Sequence, residues 1–139
     1  MPYTNFDLVE EYGLGDGEIG LRARTDIAEG VIIGIYDGVL RQFALKDGRM
    51  VDNEMHKCAV QIAVENDTIF SIVTAGSGPF EGIDYVNHSC HPNIIVRDRV
   101  VMIASRPIAK GEPLTVDYRE WDFVHEGVPC WCSPSRCII

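Results

Sequence analysis

The chain has 139 residues and a formal net charge of −9, with 12 Lys and Arg against 21 Asp and Glu. At 46% hydrophobic residues it has the material for one buried core, so a single folded domain is expected and disorder is not. No Lys/Arg cluster stands out, which speaks against direct nucleic-acid binding. The acidic balance either favours basic partners or serves solubility alone.

No apolar run approaches the ~20 residues of a membrane span, so no membrane partner is expected. Residues 1–10 have neither the basic start nor the apolar stretch of a signal peptide. The expectation is a soluble, intracellular protein. Five cysteines fit that setting as metal ligands better than as disulfides.

In chain order, Gly13, Gly15, Gly17 and Gly20 form a glycine-rich opening. It is not a phosphate loop, because no Gly-Lys-Ser/Thr follows. Segments rich in β-branched residues then predict strands at 31–36, 59–64, 68–73, 94–96, 100–104 and 114–117, several of them bounded by Gly, Pro or Asp. The apolar run 100–104 reads as a buried strand, and Arg97-Asp98-Arg99 before it as a hairpin turn. Residues 42–56 are polar and irregular and read as a surface insertion. Helical periodicity is weak, with short helices expected near 79–86 and 119–124. The predicted class is mostly β with minor helix.

One internal echo is visible. Ile27-Ala28-Glu29-Gly30 precedes a strand ending at Tyr36, and Ile108-Ala109-Lys110-Gly111 precedes one ending near Tyr118.

The sharpest local chemistry is Cys130-Trp131-Cys132-Ser133-Pro134-Ser135-Arg136-Cys137, a Cys-x-Cys-x4-Cys spacing. A structural zinc takes four thiolate or imidazole ligands, so three local thiols need a fourth from elsewhere. Cys90, Cys58 and the histidines are candidates. Cys90, in the dense run Asn87-His88-Ser89-Cys90-His91-Pro92-Asn93, is the best placed. Three unliganded thiols on a tail are the competing reading, and Cys58 in an apolar segment reads as a small core residue.

Asn87-His88-Ser89-Cys90-His91-Pro92-Asn93 resembles the NHSC-x-PN signature of SET-domain protein lysine methyltransferases. Gly111-Glu112-Pro113-Leu114-Thr115-Val116-Asp117-Tyr118 is similar to that family's GEELTxDY segment, with Pro113 replacing the second glutamate. The terminal cysteines resemble its post-SET motif. Gly20-Leu21-Arg22-Ala23, Ile27-Ala28-Glu29-Gly30 and Tyr36-Asp37-Gly38 resemble its N-terminal half. The motifs occur in family order over nearly the whole chain.

The resemblance implies a β-clip fold with a knot-like threaded C-terminal segment, a catalytic domain at 1–118 and a post-SET segment at 119–139. It implies that Cys90, Cys130, Cys132 and Cys137 share one structural zinc. It also implies S-adenosylmethionine as methyl donor and a lysine-bearing basic protein or peptide as acceptor, a histone-like tail fitting the charge. Such a tail would add as a strand in a surface groove.

By the same resemblance Tyr118 orients the amine at the transferred methyl and Tyr36 lines the site. Asn87, His88, Tyr85 and the backbone of Glu18, Ile19 and Gly20 hold the cofactor. Glu18 stands where a glycine is usual. Trp131 and Phe123 are either lids of cofactor and lysine channel or ordinary packing. Val96 and Val116 replace larger aromatic residues of the lysine channel, which implies a roomy site that accepts more than one methyl. Asp84 stands where an arginine often precedes the Asn-His pair.

The chemistry suits this residue set. A free lysine has a pKa of ~10.4, and its proton must leave before the amine can attack. An apolar channel and a neighbouring cation both lower that value, so alignment and water exclusion matter more than a strong base. Two other readings are a SET-fold binding module without activity and a Cys-His hydrolase using Cys90 with His88 or His91.

Overall fold

The computed structural model describes residues 3–47, 49–50, 59–73 and 81–120, without the side chains of 49, 50 and 59. In chain order the strands are β1 (Tyr3–Thr4), β2 (Val9–Gly15), β3 (Glu18–Ala23), β4 (Ile32–Ile35), β5 (Val39–Lys46), β6 (Arg49–Met50), β7 (Ala59–Glu65) and β8 (Thr68–Val73). A 3-10 turn at Gly82–Tyr85 follows, then β9 (Asn87–His88), β10 (Ile94–Arg97), β11 (Val101–Ala104), β12 (Thr115–Val116) and a second 3-10 turn at Tyr118–Glu120. The mostly β expectation holds.

Three sheets result: β1-β4-β11-β10-β12-β9, the pair β2-β3, and β6-β5-β8-β7. The hairpins turn at pairs of residues with left-handed backbone. Asp16-Gly17, Asn66-Asp67 and Asp98-Arg99 each hold two successive positive φ angles. That is the handedness a tight hairpin needs to match the strand twist, and Asn, Asp and Gly tolerate it best.

One core joins the sheets: Val9, Leu21, Ile33, Ile83, Ile94, Met102, Ile108, Leu114 and Val116 are all buried together. Each such side chain contributes roughly 1.5–3 kcal/mol when removed from water. Phe43 and Ile69 form a smaller second cluster, with Leu45 and Val73 against it.

That cluster corrects the reading of 42–56. Its first residues belong to β5, paired with β8 from Val39↔Val73 to Ala44↔Thr68. Buried Phe43 and partly buried Leu45, two residues apart on one face, give the segment an apolar side despite its polar composition. The glycine-rich opening is a hairpin, β2 with β3. The helices expected near 79–86 and 119–124 are 3-10 turns of four and three residues where described.

The echo is a structural pairing. Ile27 N–H donates to Ile108 O and Ile108 N–H to Ile27 O, both at 2.8 Å. Gly30 and Gly111, with φ of 85° and 86°, donate to Ala104 O and Ala23 O at 2.8 Å each. The two turns thus close against each other as mirror partners in the chain.

Gly82 sets how tightly β1 meets the first 3-10 turn. Its φ is +56°, and a Cβ there would lie 2.2 Å from Thr4 Oγ1. That hydroxyl accepts the Ile83 N–H at 3.0 Å. The topology decisive for the site is elsewhere. β12 runs parallel to both neighbours, with Ile94↔Val116 on one side and Thr115↔Asn87 and Val116↔His88 on the other.

Candidate active site

Because β12 lies between β9 and β10, the Asn-His run and the Asp-Tyr run become neighbours. Asn93 latches them: its Nδ2 donates to Pro113 O and its Oδ1 accepts Thr115 N–H, both at 2.9 Å. Ser89 N–H adds a bond to Val116 O at 3.1 Å. Asn93 is buried, where an unpaired amide would cost about 1–3 kcal/mol.

This latch delivers Tyr118 to the end of β9. Its backbone N–H donates to His88 Nδ1 at 3.0 Å, and its hydroxyl donates to Val86 O at 2.9 Å. The two rings sit 5.2 Å apart between centroids, tilted by 53°. Tyr36 is buried, and its hydroxyl donates to Ile83 O at 3.0 Å. Both tyrosine hydroxyls therefore rest on carbonyls of the segment that leads into Asn87.

His88 is 2% exposed. An Nδ1 that accepts a backbone N–H leaves the ring proton on Nε2, which faces Cys90 Sγ at 3.6 Å. Asp117 Oδ1 lies 3.8 Å from the same Nδ1, but two acceptors facing each other are not an ion pair. Burial of the ring also counts against His88 as the base of a Cys-His hydrolase, since a base that activates a thiol must reach the substrate as well.

On the neighbouring side, Gly20 approaches Asn87. A Cβ at Gly20 would meet Tyr12 Cε1 at 2.9 Å and Asn87 Nδ2 at 3.2 Å. Glu18 and Ile19 are exposed beside it on β3, and Tyr85 is half-buried at the end of the first 3-10 turn. The exposed residues Glu18 and Ile19, the Asn87 carboxamide and a glycine on which a Cβ would press against Tyr12 and Asn87 therefore lie together. Arg22 lies over the Tyr12 ring at 5.1 Å from its centroid. Asp84, at the position of the usual arginine, accepts Glu81 N–H on Oδ2 at 3.0 Å and so caps the turn before Tyr85.

The charge around Tyr118 is ordered. Burial alone would raise the Asp117 carboxyl, but the hydrogen bonds and charge of Arg119 hold it below its usual value. The closest of these contacts is Arg119 Nη2 to Oδ2 at 2.6 Å. Glu120 moves the other way, raised by burial and then by the charge of Asp117.

Val116 is fully buried in the core, and Val96 is half-buried against it. Phe123, Trp131, Cys130, Cys132, Cys137 and Cys58 lie outside the described residues. Among the described residues no three His, Cys, Asp or Glu side chains converge as a metal group. The sequence reading gave Asn93 no role of its own. Its place in the motif was the signal, but nothing local announces partners 20 and 22 residues away.

β12 thus lies between two earlier strands, with an Asn-His edge beside Tyr118. The SET domain family profile matches residues 18–119, and the chain belongs to that family. It is 29% identical over 129 residues to histone-lysine N-methyltransferase 2D of Homo sapiens, covering 86% of this chain and 2% of that protein. It is 32% identical over 130 residues to the H3 lysine-36 specific histone-lysine N-methyltransferase of Candida albicans, covering 86% and 15% respectively. Against the crystal structure of KRYPTONITE in complex with mCHG DNA and SAH, the TM-score is 0.62 at 24% identity, over 93% of this chain and 28% of that one. The chain thus spans a small part of the length of these relatives.

Proposed function

We propose that this chain is a protein-lysine N-methyltransferase that uses S-adenosylmethionine and acts on a basic protein segment, with histone tails as the first candidates. The observation that carries the reading is the Tyr118 hydroxyl and the Asn87 amide on one edge, joined through Val86, His88 and β12. The relatives' names and the acidic charge support the same acceptor.

Asn87, Tyr85 and the backbone of Glu18, Ile19 and Gly20 would hold the cofactor, with Trp131 as a cover. Bound there, S-adenosylmethionine would supply an electrophilic methyl group next to a positive charge. Tyr118 would orient the neutral amine through its hydroxyl, and Tyr36 would line the same wall. Val96, Val116 and Phe123 would keep the lysine stem dry, which favours the uncharged amine.

Cys90 with Cys130, Cys132 and Cys137 would hold a structural zinc, dividing the chain into a catalytic part at 1–118 and a closing segment at 119–139. An all-thiolate set suits that ion, and the His88 Nε2–H beside Cys90 Sγ is the kind of donor that supports a metal-bound thiolate. The net charge of −9 argues against direct nucleic-acid contact by this chain, although the KRYPTONITE complex contains DNA. No helix of the described residues is long and apolar enough to cross a membrane.

The test is transfer from labelled S-adenosylmethionine to a panel of histones and other basic proteins, beside Tyr118→Phe. Label on lysine that is lost in the variant supports the reading. Absence of cofactor binding would leave a SET-fold binding module.

A further inference from the structure

The β10–β11 turn breaks a local rule. Asp98 and Arg99 have φ of 51° and 71°. The second such position in a tight hairpin is where glycine is usual, because a Cβ is disfavoured in the left-handed region. An arginine there points to some other gain.

Its side chain reaches two other parts of the fold. Nε and Nη2 donate to Gln61 O, at 3.1 and 2.5 Å, and Nη1 donates to Glu120 O at 2.8 Å. Gln61 borders the irregular step of β7, where the register with β8 shifts between Gln61 and Ala63. Glu120 ends the second 3-10 turn, two residues after Tyr118. One planar guanidinium therefore ties the turn of the six-stranded sheet to the four-stranded sheet and to the chain leaving Tyr118. A lysine ammonium carries its three donors on one nitrogen and lacks the rigid planar fork that serves both carbonyls here.

We propose that Arg99 is a positioning residue that fixes residues 117–120 against β7 and so sets where the Tyr118 hydroxyl meets the lysine. The proposal rests on the methyltransferase reading above. Arg99 does not touch the reacting atoms. It acts through the main chain of Glu120, and a misplacement near 1 Å costs a reaction about a hundredfold.

The experiment uses Arg99→Gly and Arg99→Lys in the full chain. Glycine fits the left-handed turn and removes the clamp, so a variant that merely fails to fold is avoided. Expected for Arg99→Gly are a retained fold, because relief of the left-handed turn offsets part of the lost bonds, and amide exchange at 117–120 faster by about tenfold or more. With these go a kcat lowered by about tenfold or more and an unchanged KM for S-adenosylmethionine. Methylguanidine at a non-denaturing concentration restores transfer in Arg99→Gly and leaves the native rate alone. Arg99→Lys stays impaired.

Native exchange rates at 117–120 in Arg99→Gly would overturn the clamp. Faster exchange with native kcat would overturn its role in positioning. If the native chain transfers no methyl to any substrate, the methyltransferase reading fails, while the exchange data still decide whether Arg99 holds the segment.

Discussion

The backbone N–H of Tyr118 and the Nδ1 of His88 are hydrogen-bonded at 3.0 Å across thirty residues of sequence. The bond spends the His88 lone pair on the chain that carries the tyrosine and turns Nε2–H toward Cys90. His88 thus spans two places that the sequence keeps apart, the tyrosine and a cysteine of the proposed zinc set.

His88→Ala removes a buried acceptor and leaves a void. Together these are expected to destabilise the protein by about 2–4 kcal/mol. Methyl transfer should fall further than cofactor affinity, because Tyr118 loses its anchor while the Asn87 amide remains. Urea titration and equilibrium binding, run beside the transfer assay, check the split. Equal losses in binding and transfer would point to general unfolding instead.

Gly20→Ala places a methyl 2.9 Å from the Tyr12 ring and 3.2 Å from Asn87 Nδ2. The nearest atoms belong to side chains rather than backbone, so the fold should survive at a cost of about 1 kcal/mol. Asn87 should be displaced, and cofactor affinity should drop by about tenfold, a shift of ~1.4 kcal/mol. Calorimetric titration with S-adenosylhomocysteine measures it. Unchanged affinity would remove Gly20 and Asn87 from the cofactor site.

Glu112 locks the turn before β12. Its Oε1 accepts from Arg106 Nη2 at 2.7 Å and its Oε2 from Ala109 N–H at 2.9 Å. Arg106 and then the Ala109 amide hold its carboxyl below the ordinary 4.5. A depressed folded value means stability that is present above the unfolded value and lost as pH falls through the folded one. Glu112→Gln should therefore cost about 0.5–1 kcal/mol at pH 7, given the partial exposure of the pair, and less at acid pH. Unfolding titrations of both proteins at neutral and acid pH test it, and a difference independent of pH would refute it. Glu120, raised by burial and by Asp117, has the opposite sign. Glu120→Gln should be neutral or mildly stabilising at pH 7.

If Val96 and Val116 line the lysine channel, as the resemblance implies, their small size leaves room for the proposed enzyme to add more than one methyl. Mass spectrometry of a peptide product at saturation reads this directly, and monomethyl alone would refute it. Val116→Phe is not a clean converse. Val116 is fully buried, and the larger ring should cost about 1–3 kcal/mol in stability before it restricts any product.

Much of the strand pattern was readable because turn chemistry is local. The Arg97-Asp98-Arg99 turn and the run after it needed only their own residues. β5 was hidden because Phe43 and Leu45 face a small separate cluster, so the segment never looks like core in sequence. The Ile27 and Ile108 echo was visible as a repeat, but its meaning was not. Two turns that bond each other 81 residues apart leave no local mark.

By itself, the sequence determined the class of fold, the motif residues Asn87, His88, Cys90 and Tyr118, and the thiol spacing at 130–137. These depend on residue type and short spacing. Only the tertiary structure decided which of them meet. β12 lies parallel between β9 and β10, Asn93 brackets it from both sides, and Arg99 reaches Gln61 and Glu120. Parallel pairing and side-chain bonds to distant carbonyls arise from the packing of the whole chain around one core, and no window of sequence contains both partners.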